Sequence, residues 1–443
     1  NGDSWRKYRW HWKCAEKTVL TEKLIHYFRQ IPDYRCGREK RHDLGEMLVC
    51  VTLGFLCGRT TIRRSLKWCK THLEELRKHM NLKYGIASPS TITRMLNGID
   101  EELALYAFME WIGEIVESRN THLAIDGKAL CGATEKTKGE TTPMLLNVVE
   151  TVRGLILAQL PVDSKTNEIT AIPELLKLLD ISGSIVTIDA VGTQTAIMEQ
   201  IHEQGGHFVL TVKKNQPEAY EEIHTFMDKL GAEDLKRKKG EAMDPGMKEF
   251  LEKYEEISQM EKKRDRNEYR TCQICKDASN LTKSQKEWPH VQSIGRIKQV
   301  RIPKEKDSQG NDVTPSKEEF LEKGSRRIPA PSAGEGAGKD VQCTALISDL
   351  ILTAEELGSI KRMHWSIENR LHHVLDDTFR EDRSPAKKSR NNLSLIRKYA
   401  YNILRLAMYE TGLANIMTEM MDCFCDNAAL RERYVFQGIA SLY

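Results

Sequence analysis

Three acidic residues stand where a carboxylate could take part in chemistry instead of only facing solvent. Asp126 ends the apolar stretch HLAID, Asp189 ends SIVTID, and Glu368 lies within HWSIENRLHHVLDDTFRED. Converging carboxylates repel one another unless a cation lies between them, and hard divalent cations prefer oxygen ligands. Three such acids could hold two magnesium ions. One ion would activate a water or 3′-hydroxyl and the other would stabilise the leaving oxygen of a phosphoryl transfer.

Glu368 lies at the edge of an apolar helical face. Read at 3.6 residues per turn, Glu368, His372 and Asp376 align four residues apart, beside a face made of Trp365, Ile367, Leu371, Val374, Leu375 and Phe379. A carboxylate at the edge of a packing face is explained if its partner is a metal ion. His372 and Asp376 are rival third ligands, and the histidine is less favoured because magnesium prefers oxygen.

The two aspartates taken singly also fit simpler roles, because an aspartate at a strand end is commonly a turn or cap residue. The surrounding elements favour the catalytic interpretation. Three strands (HLAIDGKAL, PMLLNVVETV, GLILAQLPV) are followed by a helix (NEITAIPELLKLLD), a strand (SIVTID), a helix (AVGTQTAIMEQIHEQGG) and a strand (HFVLTVKKNQ). This order is typical of a ribonuclease H-like α/β core, where the first and fourth strands are neighbours. It predicts that Asp126 and Asp189 meet at one edge.

The predicted fold class is α/β, a ribonuclease H-like mixed-sheet core with a helical N-terminal domain and a partly β insertion before the last core helix. We expect residues 1–118 to form the helical domain, with possible DNA binding, and 119–216 the first part of the core. Residues 217–340 form the insertion, with strands at EYRTCQICKD and HVQSIGRIKQVRI and a flexible tract at RRIPAPSAGEGAGKD. Residues 341–443 supply the last core strand and helix and the C-terminal helices.

The overall charge neither demands nor excludes a nucleic-acid partner. Lys and Arg number 67 against 64 acidic residues, a net charge of +3 over 443 residues. A DNA footprint depends on clustering, and one candidate cluster is Arg63, Arg64, Lys67 and Lys70, which could also be the solvated face of a helical bundle. The eleven cysteines and the lack of an apolar run of membrane length predict a reduced, cytoplasmic protein. The CxxC of Cys272 and Cys275 suits a strand better than a zinc site, because no second ligand pair follows.

Six ordered motifs together resemble those of the H-repeat-associated bacterial insertion-sequence transposases, a DDE family of ribonuclease H-like transposases. They are IDGKALCG, NEITAIPELLKLLD, IVTIDAVGTQ, GGHFVLTVKKNQ, HWSIENRLHHVLDDTFRED and NNLSLIRKYAYNILR. The N-terminal segments HDLGEMLVCVTLGFLCG and SPSTITRMLNGID also resemble that family's associated region. The resemblance covers about residues 25 to 410.

The resemblance implies a nucleoid-associated DNA transposase that cuts and rejoins phosphodiesters at insertion-sequence ends with two Mg²⁺ ions, for which Mn²⁺ could substitute. Its partners would be double-stranded DNA, both the terminal inverted repeats and the target, with a homodimer on DNA and no membrane. The family's acidic triad falls on Asp126, Asp189 and Glu368. DNA contact or support of the acids is implied for Lys128, Lys165, Asn167, Lys213, Asn215, Gln216, His364, Trp365, Asn369 and His372.

Several of these positions keep a simpler interpretation open. Lys165, Asn167 and Glu168 of the motif SKTNEITA could cap the following helix instead of positioning DNA. Trp365 could pack against the sheet or stack on a flipped base. Many broader DDE relatives carry an Arg where this chain has His364 and a Lys where it has Leu375, so a hairpin intermediate is not implied. A structure-selective nuclease on the same fold and an inactive, domesticated DNA-binding protein are the alternative functions.

Overall fold

The computed structural model describes residues 22–37, 40–130, 143–162, 168–262, 266–281, 288–303, 305–306, 312–313, 341–384, 386–440 and 442. Lys165, Asn167 and the tract RRIPAPSAGEGAGKD lie outside these ranges. The chain divides into two units, one of Ser118–His373 and one of Asn1–Glu117 with Val374–Tyr443. No helix within the described ranges is long and apolar enough to cross a membrane.

The two units contain eleven strands and fourteen α-helices within the described ranges. The strands are β1 His122–Ala129, β2 Met144–Glu150, β3 Leu155–Val162, β4 Ile185–Ile188, β5 His207–Val212, β6 Tyr254–Lys262, β7 Arg266–Cys275, β8 Ser293–Pro303, β9 Glu305–Lys306, β10 Asp312–Val313 and β11 Val341–Ser348. The α-helices are α1 Leu24–Gln30, α2 Leu44–Leu56, α3 Ile62–Thr71, α4 Leu73–Leu76, α5 Pro89–Gly98, α6 Glu101–Gly113, α7 Glu168–Lys177, α8 Thr195–Glu203, α9 Pro217–Lys239, α10 Lys248–Glu252, α11 Ala354–Ile367, α12 Arg390–Thr411, α13 Met417–Asp426 and α14 Ala428–Arg431. Glu368–His372, Val374–Thr378 and Glu432–Phe436 are π-helical turns.

The unit Ser118–His373 is built on a nine-stranded mixed sheet in the order β3-β2-β1-β4-β5-β11-β8-β7-β6. β4 is parallel to both β1 and β5, whereas β2 and β3 form an antiparallel hairpin beside β1. Gly154, with a φ of +75°, lies in the tight turn of that hairpin. The strands predicted for this part of the chain are confirmed, and the mixed α/β architecture fits the ribonuclease H-like class.

Apolar content explains why these strands lie inside the sheet. Leu123, Ala124 and Ile125 of β1 and Val186 and Ile188 of β4 are all at most 4% exposed. Near-continuous apolar runs are typical of strands that are covered on both faces. The polar residues at which these runs stop are therefore the first ones able to reach solvent at the edge of the sheet.

The segment predicted as an insertion continues the same sheet. β8 pairs with β11 and β7 with β8, all antiparallel. Cys272 and Cys275 of the predicted strand are free cysteines buried in β7, and burial raises the pKa of both thiols. The predicted strand is thus confirmed.

One long element of this segment, α9, was not predicted. Its residues Ala219, Ile223, Phe226, Met227 and Leu230 are buried, at the spacings of an amphipathic helix. Pro217 occupies its first turn, a position that proline favours. The many charged residues between the apolar ones obscure this period in the sequence.

The second unit is helical and includes the end of the chain. The structure groups residues 374–443 with the N-terminal helices, whereas the sequence analysis grouped 341–443 with the core. Helix α12 explains the grouping, because the ring of its Tyr399 lies 4.8 Å, between centroids, from the rings of Phe28, Phe108 and Trp111. On α3, Arg63, Arg64, Lys67 and Lys70 are exposed.

Candidate active site

The two predicted aspartates follow directly on a pair of parallel strands. The register of β1 against β4 ends with Ile125 beside Ile188. Asp126 and Asp189 are the next residue on each strand, so both carboxylates lie at the same edge of the sheet. Their side chains are 32% and 46% exposed, respectively. The fold thus brings together two acids that are distant in the sequence.

The pKa values of the two acids are shifted in opposite directions. Burial and the charge of Asp189 raise the pKa of Asp126 to about 7, and Glu168 and Glu368 add to the effect, although the backbone N–H of Gly127 donates to Asp126 Oδ1 at 3.0 Å. Contact with His364 and the charges of Lys361 and Lys213 hold the pKa of Asp189 well below its usual range. A carboxylate pair whose environments differ in this way keeps one member ionised while the other can bind a proton near neutral pH.

Three basic side chains surround Asp189. Lys213 Nζ donates to its Oδ2 at 2.9 Å, Lys361 Nζ lies 3.6 Å from its Oδ1, and His364 Nε2 lies 3.7 Å from the same oxygen. Lys361 is 2% exposed and also donates to Thr211 Oγ1 at 2.9 Å. Burial lowers its pKa to about 8. Lys361 was not among the residues that the sequence assigned to the site.

Glu368 is the first residue of the π-helical turn that follows α11. Helix α11 begins with a capping box between Thr353 and Glu356, and the turn Glu368–His372 follows its last residue, Ile367. Glu368 is exposed and lines the same cleft as the two aspartates. His372, predicted as a rival ligand, has its Nδ1 3.6 Å from Asp126 Oδ2.

The π-helical geometry corrects the sequence interpretation of this segment. The alignment of Glu368, His372 and Asp376 assumed 3.6 residues per turn. The segment instead contains i→i+5 turns, in which residues four apart no longer lie directly above one another. Such turns are frequent at functional sites. Alignment on a regular helix therefore does not support the choice among these three side chains.

The cleft that contains the acids has a volume of about 640 Å³. It contains three acids and three lysines among its lining residues, so that sites for a cation and for an anion lie side by side. The lining consists of Asp126, Asp189, Thr211, Lys213, Lys214, Tyr220, Gln342, Cys343, Thr344, Lys361, His364, Trp365 and Glu368. The ring of Trp365 is half-buried, with Lys361 Nζ 5.5 Å from its centroid.

The donor set partly fits the divalent ions that the sequence implies. Asp126 and Asp189 are hard oxygen donors at one edge, and their mutual repulsion is the kind that a bound cation would relieve. However, within the described ranges no group of three or more His, Cys, Asp or Glu side chains is arranged to hold a metal ion. Glu368 therefore shares the cleft with the aspartates without completing a ligand set with them.

The remaining predicted residues take up several positions. Asn215 Nδ2 donates to Ala190 O at 3.0 Å and Gln216 Nε2 donates to Thr193 O, so both hold the turn that follows Asp189. Lys128 is 3% exposed and does not line the cleft. Only the backbone of Asn369 is described.

Glu168 is a carboxylate near the two aspartates, although only DNA positioning or helix capping was predicted for it. A Cβ added to Gly127 would lie 3.1 Å from Glu168 Oε1, which places this acid beside the residue after Asp126. Burial and the charge of Asp189 raise the pKa of Glu168, and its own charge helps to raise that of Asp126. Its place in the motif SKTNEITA, together with Lys165 and Asn167, was the available sequence signal.

Comparison with known proteins identifies two matching families. Residues 117–403 match the family described as "Transposase DDE domain", and residues 25–112 match the one described as "DDE_Tnp_1-associated". The chain is 28% identical over 388 residues to "H repeat-associated putative transposase YhhI" of Escherichia coli (strain K12), which covers 86% of this chain and 90% of that protein. It is 32% identical over 196 residues to "H repeat-associated putative transposase YbfD" of the same strain, covering 44% of this chain and 78% of that protein.

A solved structure of low similarity covers most of the chain. It is titled "Cryo-EM structure of piggyBac transposase synaptic complex with hairpin DNA (SNHP)" and has a TM-score of 0.38 at 11% identity, covering 94% of this chain and 79% of that one. A similarity at this level carries no argument about the chain.

Proposed function

The chain belongs to the family of the transposase DDE domain and is similar to H repeat-associated transposases. From this premise we propose that it cleaves and joins DNA at the ends of an insertion sequence, with Asp126, Asp189 and Glu368 as its catalytic acids. The observation that carries the proposal is the meeting of Asp126 and Asp189 at the ends of adjacent parallel strands, in a cleft that Glu368 also lines.

The aspartates would hold divalent metal ions, with Mg²⁺ as the proposed ion, and Glu368 would complete the ligand set when DNA is bound. The ions would supply activation of the attacking hydroxyl and stabilisation of the leaving oxygen. The strongly lowered pKa of Asp189 keeps that carboxylate ionised and available as a ligand. The raised pKa of Asp126 means that this residue must release a proton before it can bind a cation at neutral pH.

The lysines of the cleft would receive the DNA backbone. Lys213 has a side chain that is 55% exposed, and Lys214 lines the same cleft, so either could reach a phosphate. Phosphate contacts of this kind position DNA without reading its sequence. Lys128, Asn215 and Gln216 would support the strand ends and the turn after Asp189, because one is buried and the other two bond to the backbone there.

A transposase must bring two element ends together before it joins them to a target. We therefore propose that the form bound to the terminal inverted repeats is a homodimer. Size measurement on the DNA complex tests this point, and a stoichiometry of one chain per pair of ends would contradict it.

The decisive experiment is a cleavage and strand-transfer assay in Mg²⁺ with DNA that carries the element ends. Asp126→Asn, Asp189→Asn and Glu368→Gln should each reduce turnover by at least about 10³-fold, because removing one group of a catalytic unit costs nearly as much as removing all of them. DNA binding should persist in all three. Glu174→Gln is the matched control, since its carboxylate forms an exposed pair with Lys177 on α7 and does not line the cleft.

The assay also separates the proposal from its alternatives. Cleavage without joining of a precut end would indicate a nuclease on the same fold. DNA binding that persists in chelator, with no cleavage by the native protein under any metal, would indicate an inactive binding protein. Retained turnover in one of the three variants would remove that residue from the mechanism.

A further inference from the structure

Four buried polar side chains form a hydrogen-bonded row that ends at Asp189. The row comprises Thr151 after β2, His122 on β1, Thr187 on β4 and His364 on α11, each at most 5% exposed. Thr151 Oγ1 lies 2.6 Å from His122 Nδ1, and His122 Nε2 lies 3.1 Å from Thr187 Oγ1. Thr187 Oγ1 lies 3.0 Å from His364 Nδ1, and His364 Nε2 faces Asp189.

These residues lie where apolar side chains would ordinarily join a helix to a sheet. Burying a polar group is unfavourable unless it is hydrogen-bonded. A fully paired buried network, however, specifies one arrangement of the elements that carry it. The row therefore has a structural consequence at its end, where it reaches a catalytic acid.

The donors and acceptors of the row are mutually consistent in one direction. Burial lowers the pKa of His122 to about 3, so this ring is neutral near pH 7. A neutral imidazole donates from one nitrogen and accepts at the other. If Thr151 donates to His122 Nδ1, then His122 Nε2–H donates to Thr187. The Thr187 hydroxyl is then free to donate to His364 Nδ1.

The opposite arrangement is less favourable. The Thr187 hydroxyl could instead donate to Leu123 O, but that oxygen is 3.4 Å away, farther than His364 Nδ1. Thr187 would then accept from Nδ1–H of His364, and the Nε2 of a neutral His364 ring would present its lone pair to the ionised Asp189 at 3.7 Å. Two electron-rich atoms would oppose each other in a buried site.

We propose that Thr151, His122 and Thr187 form a positioning relay that fixes His364 as the Nε2–H tautomer, so that this N–H faces Asp189 and orients its carboxylate. The role in orientation rests on the proposed function, whereas the tautomer itself does not. Partners behind a metal-binding group commonly fix a histidine tautomer and ring orientation in this way. The separation of 3.7 Å is longer than a hydrogen bond, and such contacts often shorten when substrate binds.

Nitrogen NMR of histidine measures the tautomer directly. The native protein, labelled with ¹⁵N only in histidine and free of DNA, should show Nε2–H and a bare Nδ1 for both His122 and His364. The two ring signals are assigned by their loss in His122→Gln and His364→Gln. Finding His364 as the Nδ1–H tautomer or as the imidazolium would overturn the relay.

The second measurement is the effect of Thr187 on catalysis. Thr187→Val keeps the shape of the side chain but removes the hydroxyl, and should lower kcat for cleavage by about 10-fold or more while KM for DNA changes less than about twofold. Thr187→Ser, which restores the hydroxyl, should recover both the tautomer and most of kcat. Thr52→Val is the control, because Thr52 is a fully buried threonine of α2 whose hydroxyl donates to Leu48 O within the same helix.

The outcomes keep the relay and the proposed function distinguishable. A native protein that does not cleave DNA but shows the Nε2–H tautomer would remove the proposed function and leave the relay as a structural network. Active protein in which Thr187→Val keeps full kcat would overturn the positioning role. If the valine variant does not fold, the native NMR spectrum and the rate of the serine variant decide the question.

Discussion

Replacing Asp126 by asparagine should stabilise the metal-free protein at alkaline pH, because the surroundings of Asp126 disfavour its negative charge. Burial and the neighbouring carboxylate of Asp189 raise its pKa to about 7. An unfolded chain ionises this group near its ordinary value of about 3.9. The folded state therefore holds the proton more tightly than the unfolded state between these two values.

The sign and size of the effect follow from this difference. Because the folded pKa is raised, ionisation costs more in the folded state, and stability is lost as pH rises from the unfolded value through about 7. If the pKa of Asp126 is about 3.9 in the unfolded chain and about 7 in the folded one, the free energy of unfolding falls by about 2.7 kcal/mol between pH 5 and pH 8.5. With 32% of the Asp126 side chain exposed, solvent screening reduces this expectation to about 1.5 kcal/mol.

Hydrogen exchange of the β1 and β4 amides measures the stability of the unit Ser118–His373 separately from that of the helical unit. With metal removed, the free energy of opening of Asp126→Asn should exceed the native value by about 1.5 kcal/mol more at pH 8.5 than at pH 5. Glu174→Gln, which neutralises an exposed carboxylate of the same unit, should show no such pH dependence. An equal difference at the two pH values would mean that the folded state does not oppose ionisation of Asp126.

Three further substitutions test other parts of the structure. Glu168→Gln should lower the pKa of Asp126, because the charge of Glu168 contributes to raising that pKa. Carboxyl ¹³C NMR measures the titration of Asp126, and an unchanged titration would place Glu168 away from the acids. Lys361→Met should reduce cleavage by about 10-fold or more with DNA affinity retained, since it removes a buried cation 3.6 Å from an acid but keeps most of the side-chain length. An undiminished rate would make this lysine dispensable. Gly54→Ala should destabilise the helical unit by about 2 kcal/mol in urea, because the new Cβ would lie 2.1 Å from a side-chain carbon on α3. The control is Gly37→Ala, whose new Cβ would have no atom of the described residues within 4 Å and which should change stability by less than about 0.5 kcal/mol.

The meeting of Asp126 and Asp189 could be predicted because it depends on features that the sequence records directly. Each acid ends an apolar run, and the order of the elements makes the two runs neighbouring parallel strands. The apolar side of the segment that starts at the end of α11 could also be predicted, and its residues Ile367, Leu371 and Leu375 are buried. The spacing of apolar residues along the sequence indicates which of them are buried, so this part of the structure could be predicted from local patterns.

Other features depend on distant residues and could not be predicted in this way. The 23-residue helix α9 was missed because its charged positions dominate the composition. Lys361 and His364 look like surface residues in the sequence, and only the packing of α11 on β4 and β5 buries them against Thr187 and Thr211. A buried polar residue is recognised by its partner, and these partners lie more than 100 residues away in the sequence.

The choice between Glu368 and His372 shows how a local change of geometry alters a chemical conclusion. On a regular helix the two residues would share a face and compete for one ligand position. In the π-helical turn His372 lies against Asp126 with 14% of its side chain exposed, while Glu368 extends exposed into the cleft. Because they occupy different positions, the histidine can hold Asp126 in place while Glu368 remains available to a cation or to DNA. The two side chains are therefore complementary instead of alternative.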